Sequence, residues 1–418
     1  MAASDTRDRL EAEIAAEIAG RGPIPFARFM EMCLYHPTHG YYTRGLGGGG
    51  GRDYLTSSGL HRAFGALIAR QAEEMWRRTG RPDPYLFVEF GPGEGHFAWD
   101  FLQEAARHDG FLRALRYLMV EPSRALRDRQ RARLGGRGAA PVSWLTEPEL
   151  DARAKFAGCL FANEVLDAFP VHRVVGTPDG PREIHVASRD GRLEEITGPL
   201  SSDALGRFLA DSEITLEDGQ EVDLNLAAPC WVAWAAGLLQ RGHMVLVDYG
   251  YEARDLYVPA RPRGTLLAYH RHRVNEEFLL RPGEQDLTAH VDFTAVKRAA
   301  ETAGARLLGL TTQSRFLLAL GALDFLAVPA AVAAGGPGQV PVPVARRVEA
   351  IEEREALKDL VLPGGMGDRF KVLVLGVGEV TRDLTGLSRP WAGTLEAAAA
   401  TPLPPPRGAA AEDAEDRS

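Results

Sequence analysis

Three places in the sequence carry side chains whose types and spacing suit chemistry. At 88–97 the chain reads VEFGPGEGHF, with Glu89 ahead of Gly91, Gly93 and Gly95. Glycines at this spacing let backbone approach a ligand closely. A glycine turn after a strand is where open α/β sheets hold nucleotides. The dinucleotide fingerprint G-x-G-x-x-G needs its third glycine at position 96, which is His96. No G-x-x-x-x-G-K-S/T phosphate loop occurs. The pattern that fits is E-x-G-P-G-x-G, the form used for S-adenosylmethionine, with Glu89 suited to the charged amino-acid end. The second place is Glu121, closing the run RYLMVEP. A carboxylate ending the second strand accepts hydrogen bonds from both ribose hydroxyls. NAD sites do the same, so Glu121 specifies a ribose and does not choose the ligand.

The third place is GCLFANEVLDAFPVHRV, where Asn163 and Glu164 follow an apolar strand and Asp167 stands three residues further. One turn can present Asp167 beside Glu164. Methyl transfer from a sulfonium is an in-line displacement whose main demand is positioning. A guanidinium acceptor, with a pKa above about 12, must also shed a proton as its nitrogen attacks. Carboxylates grip such a group in bidentate fashion and stabilise the cation. Asn163, Glu164 and Asp167 are therefore the candidate catalytic residues, with the Asn163 amide oxygen able to orient a nitrogen.

These residues need a scaffold, and the sequence predicts one. From about Tyr85, short apolar runs at 85–90, 116–120, 158–162, 244–248, 306–310 and 370–375 alternate with helical stretches such as 97–108 and 122–134. That alternation predicts a doubly wound, mostly parallel sheet. Ahead of it, residues 5–20 and 60–79 read as helices. Within 173–229, EIHVAS and LEEIT flank a turn at Asp190-Gly191, predicting a β-hairpin. The expected organisation is an N-terminal helical and lid segment at 1–83, a core at 84–172 and 230–380, an insertion at 173–229, and a disordered tail at 381–418.

Composition narrows the function classes. The net charge is −9 (48 Lys and Arg, 57 Asp and Glu), which argues against a nucleic-acid surface and tolerates a cationic substrate. Three widely spaced cysteines without a CxxC suit a reducing compartment. No run approaches the ~18 apolar residues of a membrane span. The charged amino-terminal stretch has neither a signal-peptide core nor transit-peptide character, so the expected location is cytoplasmic. His270 and His272 sit in a basic cluster with no third ligand at metal spacing, and no metal site is expected. Asp292 reads as the N-cap of a helix over 293–303.

The order of motifs resembles the MidA family of S-adenosylmethionine-dependent methyltransferases. The matching stretches include GPIPFARFMEMCLYHPTHGYY, VEFGPGEGHFAWDFL, NEVLDAFPVHRV, LVDYGYEARDLY and PGEQDLTAHVDF, and they span about residues 22–376. The resemblance implies a class I, Rossmann-like methyltransferase with a seven-stranded sheet and S-adenosylmethionine as methyl donor. It implies cofactor contacts from Glu89, Gly91, Gly93, Gly95 and Glu121, and a lid containing Thr56 and Tyr41 in the Gly40-Tyr41-Tyr42 segment. Mitochondrial members assemble respiratory complex I and dimethylate an arginine of one subunit, so a protein arginine is the implied acceptor. One departure stands out: the family's T-A-P-E in the lid is here Thr56-Ser57-Ser58-Gly59, without the acid. Another protein, a small molecule, or a non-catalytic assembly role on the same fold stay open as alternatives.

Overall fold

The structure is a computed structural model that describes residues 3–46, 57–135, 141–271, 273–325, 344–362 and 364–388. Its centre is one sheet built from β1 (Tyr85–Phe90), β2 (Leu115–Val120), β3 (Val142–Leu145), β4 (Phe156–Asn163), β5 (Leu239–Tyr251), β6 (Arg306–Thr312) and β7 (Phe370–Val377). The lateral order is β3-β2-β1-β4-β5-β7-β6. Strands β1 to β5 pair in parallel, and β7 runs antiparallel between β5 and β6. The chain steps outward from β1 to β3, then returns to place β4 on the other side of β1. The strand order therefore reverses between β1 and β4, which opens a crevice at their carboxyl ends. All six apolar runs of the sequence become strands of this sheet. The short edge strand β3 was not among them, because VSWL is only partly buried.

Helices cover both faces. Among the helices, α1 (Ala3–Arg21) and α2 (Phe26–Tyr35) pack away from this sheet, while α3 (Ala63–Arg78), α4 (His96–Ala105), α5 (Arg124–Leu134), α6 (Ala227–Leu238) and α7 (Phe293–Thr302) flank it. The central strands are apolar on both faces, as a covered parallel sheet requires. Phe87, Cys159 and Val245 point to the α3–α4 side, while Leu86, Val88, Leu160 and Leu246 point to the α6–α7 side. Aromatic rings fill the first layer, with Phe97 on Phe161 at 4.4 Å and Phe87 on Phe101 at 4.2 Å between centroids. Asp292 caps α7 as expected, accepting from Thr294 N and Ala295 N.

Outside the core, segments far apart in sequence join. The predicted hairpin forms from Arg182–Arg189 and Arg192–Gly198, with Asp190 at φ 49° and Gly191 at φ 75°. It belongs to a five-stranded antiparallel sheet that also takes in Ile24–Pro25 from the N-terminal segment. Leu10, Ile14, Phe26 and Phe29 pack with Val186 and Leu287 in one cluster, so the N-terminal segment and the insertion share a core. A further three-stranded sheet, Leu267–His270, Arg273–Asn275 and Asp286–Thr288, leans on that cluster. The tail boundary needs correction. Residues 381–388 are ordered against α3: Thr385 N donates to Glu74 Oε2 (3.0 Å) and Gly386 N to Gln71 Oε1 (2.8 Å). Residues 389–418 lie outside the described residues.

Candidate active site

A cavity of about 740 Å³ opens at the β1/β4 crevice, at the carboxyl ends of the strands. Its floor is the turn between β1 and α4. Gly91, Gly93 and Gly95 hold φ values of 62°, 51° and 81°, in the left-handed region that favours glycine. A Cβ on Gly91 would lie 2.8 Å from Val165 Cγ2, so Val165 would have to shift to admit a side chain that the conformation already disfavours. Gly91 and Gly93 line the cavity. Gly95 does not: it is the residue from which α4 starts, and it packs on Gln130. Gln130, fully buried on α5, was not anticipated. Its Nε2 donates to the Gly93 carbonyl (2.7 Å) and its Oε1 accepts from Trp144 Nε1 (2.9 Å), strapping the glycine turn to β3 and α5.

Two buried carboxyls face this space. Glu89 accepts from Tyr117 Oη at 2.7 Å. Burial pushes it up to about 8; the Tyr117 hydrogen bond pulls it down and nearby Glu121 pushes it further up. Glu121 accepts from Ser123 N at 2.7 Å. Burial raises it to about 7 against the hydrogen bonds from Ser123 and Gln130. Both side chains line the cavity. Groups that gain by ionising only when a donor arrives are suited to receiving one.

The far wall is the turn after β4. Asn163 and Glu164 line the cavity, and Asn163 Nδ2 donates to Glu164 Oε1 (2.9 Å). Asn163 Oδ1 is buried with no hydrogen-bond partner. Glu164 takes φ 55°, a left-handed conformation uncommon for a non-glycine residue and typical of functional strain. Asp167 requires a correction. It is buried behind the wall and does not line the cavity; its Oδ2 accepts from Tyr249 Oη at 2.5 Å. Burial pushes it up to about 6 against that hydrogen bond. The positions after it, Ala168 and Phe169, line the cavity instead. Asp248, which lies in the LVDYGYEARDLY stretch but was given no role there, sits behind the same turn and accepts from Leu166 N at 3.0 Å. Burial, followed by repulsion from Asp167 and Glu164, pushes Asp248 well up.

The roof comes from the N-terminal segment. Tyr35, Pro37, Tyr42 and Thr43 line the cavity. Tyr41 does not, because its ring is buried in the N-terminal cluster; the neighbouring Tyr42 takes the roof position. Tyr42 stacks on Tyr35 with centroids 5.5 Å apart and donates to the buried Asp286 Oδ1 (2.8 Å). Thr56 lies outside the described residues. His36 pairs with Glu13 (2.9 Å) and stacks on His39. His270 Nδ1 donates to the Glu284 carbonyl (3.0 Å), and His272 lies outside the described residues.

A mostly parallel sheet with strand order 3-2-1-4-5-7-6 and strand 7 antiparallel, a glycine turn at its switch point and an acid at the end of each of the first two strands define a class I methyltransferase. Comparison with known proteins agrees. A model of a family of S-adenosyl-L-methionine-dependent methyltransferases matches residues 67–311, and the chain belongs to that family. A solved Burkholderia thailandensis protein bound to S-adenosyl-homocysteine is 32% identical, with a TM-score of 0.80 over 94% of this chain and 98% of that one. The protein arginine methyltransferase NDUFAF7 of Xenopus tropicalis is 28% identical over 333 residues, covering 73% of this chain and 74% of the relative. The Drosophila melanogaster homologue is 28% identical over 410 residues, covering 90% and 86%. The protein is therefore an S-adenosylmethionine-dependent methyltransferase, as the motif order implies.

The cavity fits that donor on its own chemistry. A Cβ would fill the cradle at Gly91. Glu89 and Glu121 offer buried acceptors for ammonium and hydroxyl donors, and Asn163 Oδ1 is an acceptor still lacking a donor.

Proposed function

We propose that this methyltransferase modifies an arginine side chain of a protein. The observation that carries this reading is the acceptor-rich end of the cavity. Asn163 supplies an unpartnered amide oxygen and Glu164 a carboxylate held in a strained conformation. A guanidinium is the complementary group, since it carries only donors. The names of the curated relatives, protein arginine methyltransferases, support the same acceptor.

Bound S-adenosylmethionine supplies a methyl carbon already activated by its sulfonium, so no residue has to activate the donor. Glu89 and the glycine turn hold the amino-acid end, and Glu121 accepts from the ribose hydroxyls. Glu164 accepts guanidinium N–H bonds and aims one nitrogen, while Asn163 Oδ1 takes a second N–H. As that nitrogen bonds the methyl carbon, the carbon–sulfur bond breaks and S-adenosylhomocysteine leaves; the nitrogen sheds a proton, for which the Glu164 carboxylate is the acceptor. Tyr35 and Tyr42 roof the same space and present their rings to the ligand.

The test is methyl transfer from labelled S-adenosylmethionine into protein extract, with hydrolysis and amino-acid analysis of the product. Label in methylarginines is the expected result. Label confined to lysine, lipids or small molecules overturns the arginine assignment and leaves the methyltransferase chemistry intact.

A further inference from the structure

The turn that carries Asn163 and Glu164 is held from the neighbouring strand. Asp248, 1% exposed in β5, presents one oxygen to three successive backbone N–H groups. Its Oδ2 accepts from Val165 N (3.3 Å), Leu166 N (3.0 Å) and Asp167 N (3.3 Å). Its Oδ1 accepts from Tyr249 N (2.9 Å). Successive amides aimed at one point form a concavity for an anion, most familiar where proteins bind phosphate. Here a side chain of the protein itself occupies it.

The consequence falls on Glu164. The amides of 165–167 converge on Asp248 while the chain turns through the left-handed region at Glu164, φ 55°. A non-glycine residue keeps such a conformation only where its surroundings over-determine it. The surroundings are the end of β5. Glu164 N donates to the Val247 carbonyl (2.9 Å), Asp248 gathers the next three amides, and Tyr249 Oη holds the Asp167 carboxyl (2.5 Å). Asp248 does not itself line the cavity.

We propose that Asp248 is a positioning residue for methyl transfer: its carboxyl oxygens fix the Asn163–Asp167 turn and so the aim of Asn163 and Glu164 at the acceptor. This rests on the reading of Asn163 and Glu164 as the acceptor-side residues. It assigns Asp248 no contact with donor or acceptor.

The full-length Asp248→Asn variant tests it. Asparagine keeps the volume and one acceptor oxygen, but sets an NH₂ donor against backbone N–H donors. Three readings are taken: amide hydrogen exchange by peptide, S-adenosylhomocysteine affinity by calorimetry, and turnover on an acetylated Gly-Arg-Gly peptide. Exchange in the peptide spanning 163–168 should quicken at least about tenfold, with the 88–97 peptide unchanged. Turnover should fall about 100-fold, the scale expected when reacting groups lose their aim. S-adenosylhomocysteine affinity should stay within about fivefold, because Glu89 and Glu121 do not rest on Asp248. Unchanged exchange at 163–168, near-wild-type turnover, or loss of ligand affinity in step with general loosening each overturns the proposal. Should Asp248→Asn not fold, Asp248→Glu carries the same readings, keeping the carboxyl group and displacing its oxygens by one methylene. Failure of both to fold assigns Asp248 to the scaffold and also overturns it. Exchange and ligand affinity need no acceptor, so a wild-type protein that leaves the peptide unmethylated defeats the arginine reading alone.

Discussion

The two ends of the cavity reach the same backbone conformation by opposite means. At the donor end, positive φ is taken by Gly91, Gly93 and Gly95, which adopt it at no steric cost. At the acceptor end it is taken by Glu164, which does so against its own preference and under hydrogen bonds from β5. The donor turn is local: strand, glycines and helix follow within 85–105. The acceptor turn is assembled, drawing on Asp248 and Tyr249 from a strand some 80 residues later. A ligand common to a whole class can be held by a contiguous device. The end that must aim a particular nucleophile is held by a carboxyl group brought from elsewhere.

The largest effect should come from breaking the donor end. Gly91→Ala places a Cβ 2.8 Å from Val165 Cγ2 at φ 62°, so S-adenosylhomocysteine affinity should fall at least about 100-fold by calorimetry, equivalent to about 2.7 kcal/mol. Retained binding would show that the turn can shift, and the contrast between the ends would weaken.

Next comes the acceptor end. Glu164→Gly removes the carboxylate and the strain together. Turnover should fall about 100-fold while the melting temperature rises by about 1–2 °C, since a left-handed non-glycine residue costs roughly 1 kcal/mol. A lowered melting temperature would mean that Glu164 is not strained in the folded protein.

The smallest effect is in pH. Glu89 and Glu121, pushed up to about 8 and about 7, hold protons in the ligand-free protein that the unfolded chain has released. Their contribution to stability is full below the ordinary carboxyl value of 4.5 and is lost as pH rises through 7 to 8. His243 and His290, pushed down to about 4 mainly by burial, act only below about pH 6.5. Between about pH 6.5 and 8.5 the ligand-free melting temperature should therefore fall. S-adenosylhomocysteine affinity should rise several-fold as both carboxyls ionise to meet ligand donors. Glu121→Gln should flatten part of that rise; an identical slope in the variant would remove Glu121 from the site.

The same contrast explains what was legible in the sequence. Glu89, Gly91, Gly93 and Glu121 could be placed because strand, turn and acid follow one another along the chain. Asn163 and Glu164 were found because they end an apolar run. Asp167 was assigned to the cavity on its spacing from Glu164, but the left-handed step at Glu164 breaks the helical spacing assumed and turns Asp167 inward. Tyr41 and Tyr42 differ by one position, and only the packing of the N-terminal cluster decides which ring faces the ligand. Gln130 and Asp248 do their work through partners 37 and 82 residues away, a distance that no local pattern encodes. The core sheet was readable from periodicity, whereas the sheet that joins Ile24 to Val186 was not, because its partners carry no pairing signal.

That last pairing sets an order of events on the ribosome. The floor of the cavity is complete in sequence by α4, and β4 with the turn after it follows by about residue 167. The roof precedes the floor in sequence but finds its partners one after another: Ser123 Oγ donates to the Thr43 carbonyl (3.2 Å), Tyr35 Oη donates to the Ala168 carbonyl (3.0 Å), and Val186 and Asp286 come later still. The roof thus docks in stages, as partners from residue 123 to residue 286 are made. A chain interrupted before residue 286 would lack the carboxyl that holds Tyr42, so the roof is completed only after about two thirds of the chain has been made.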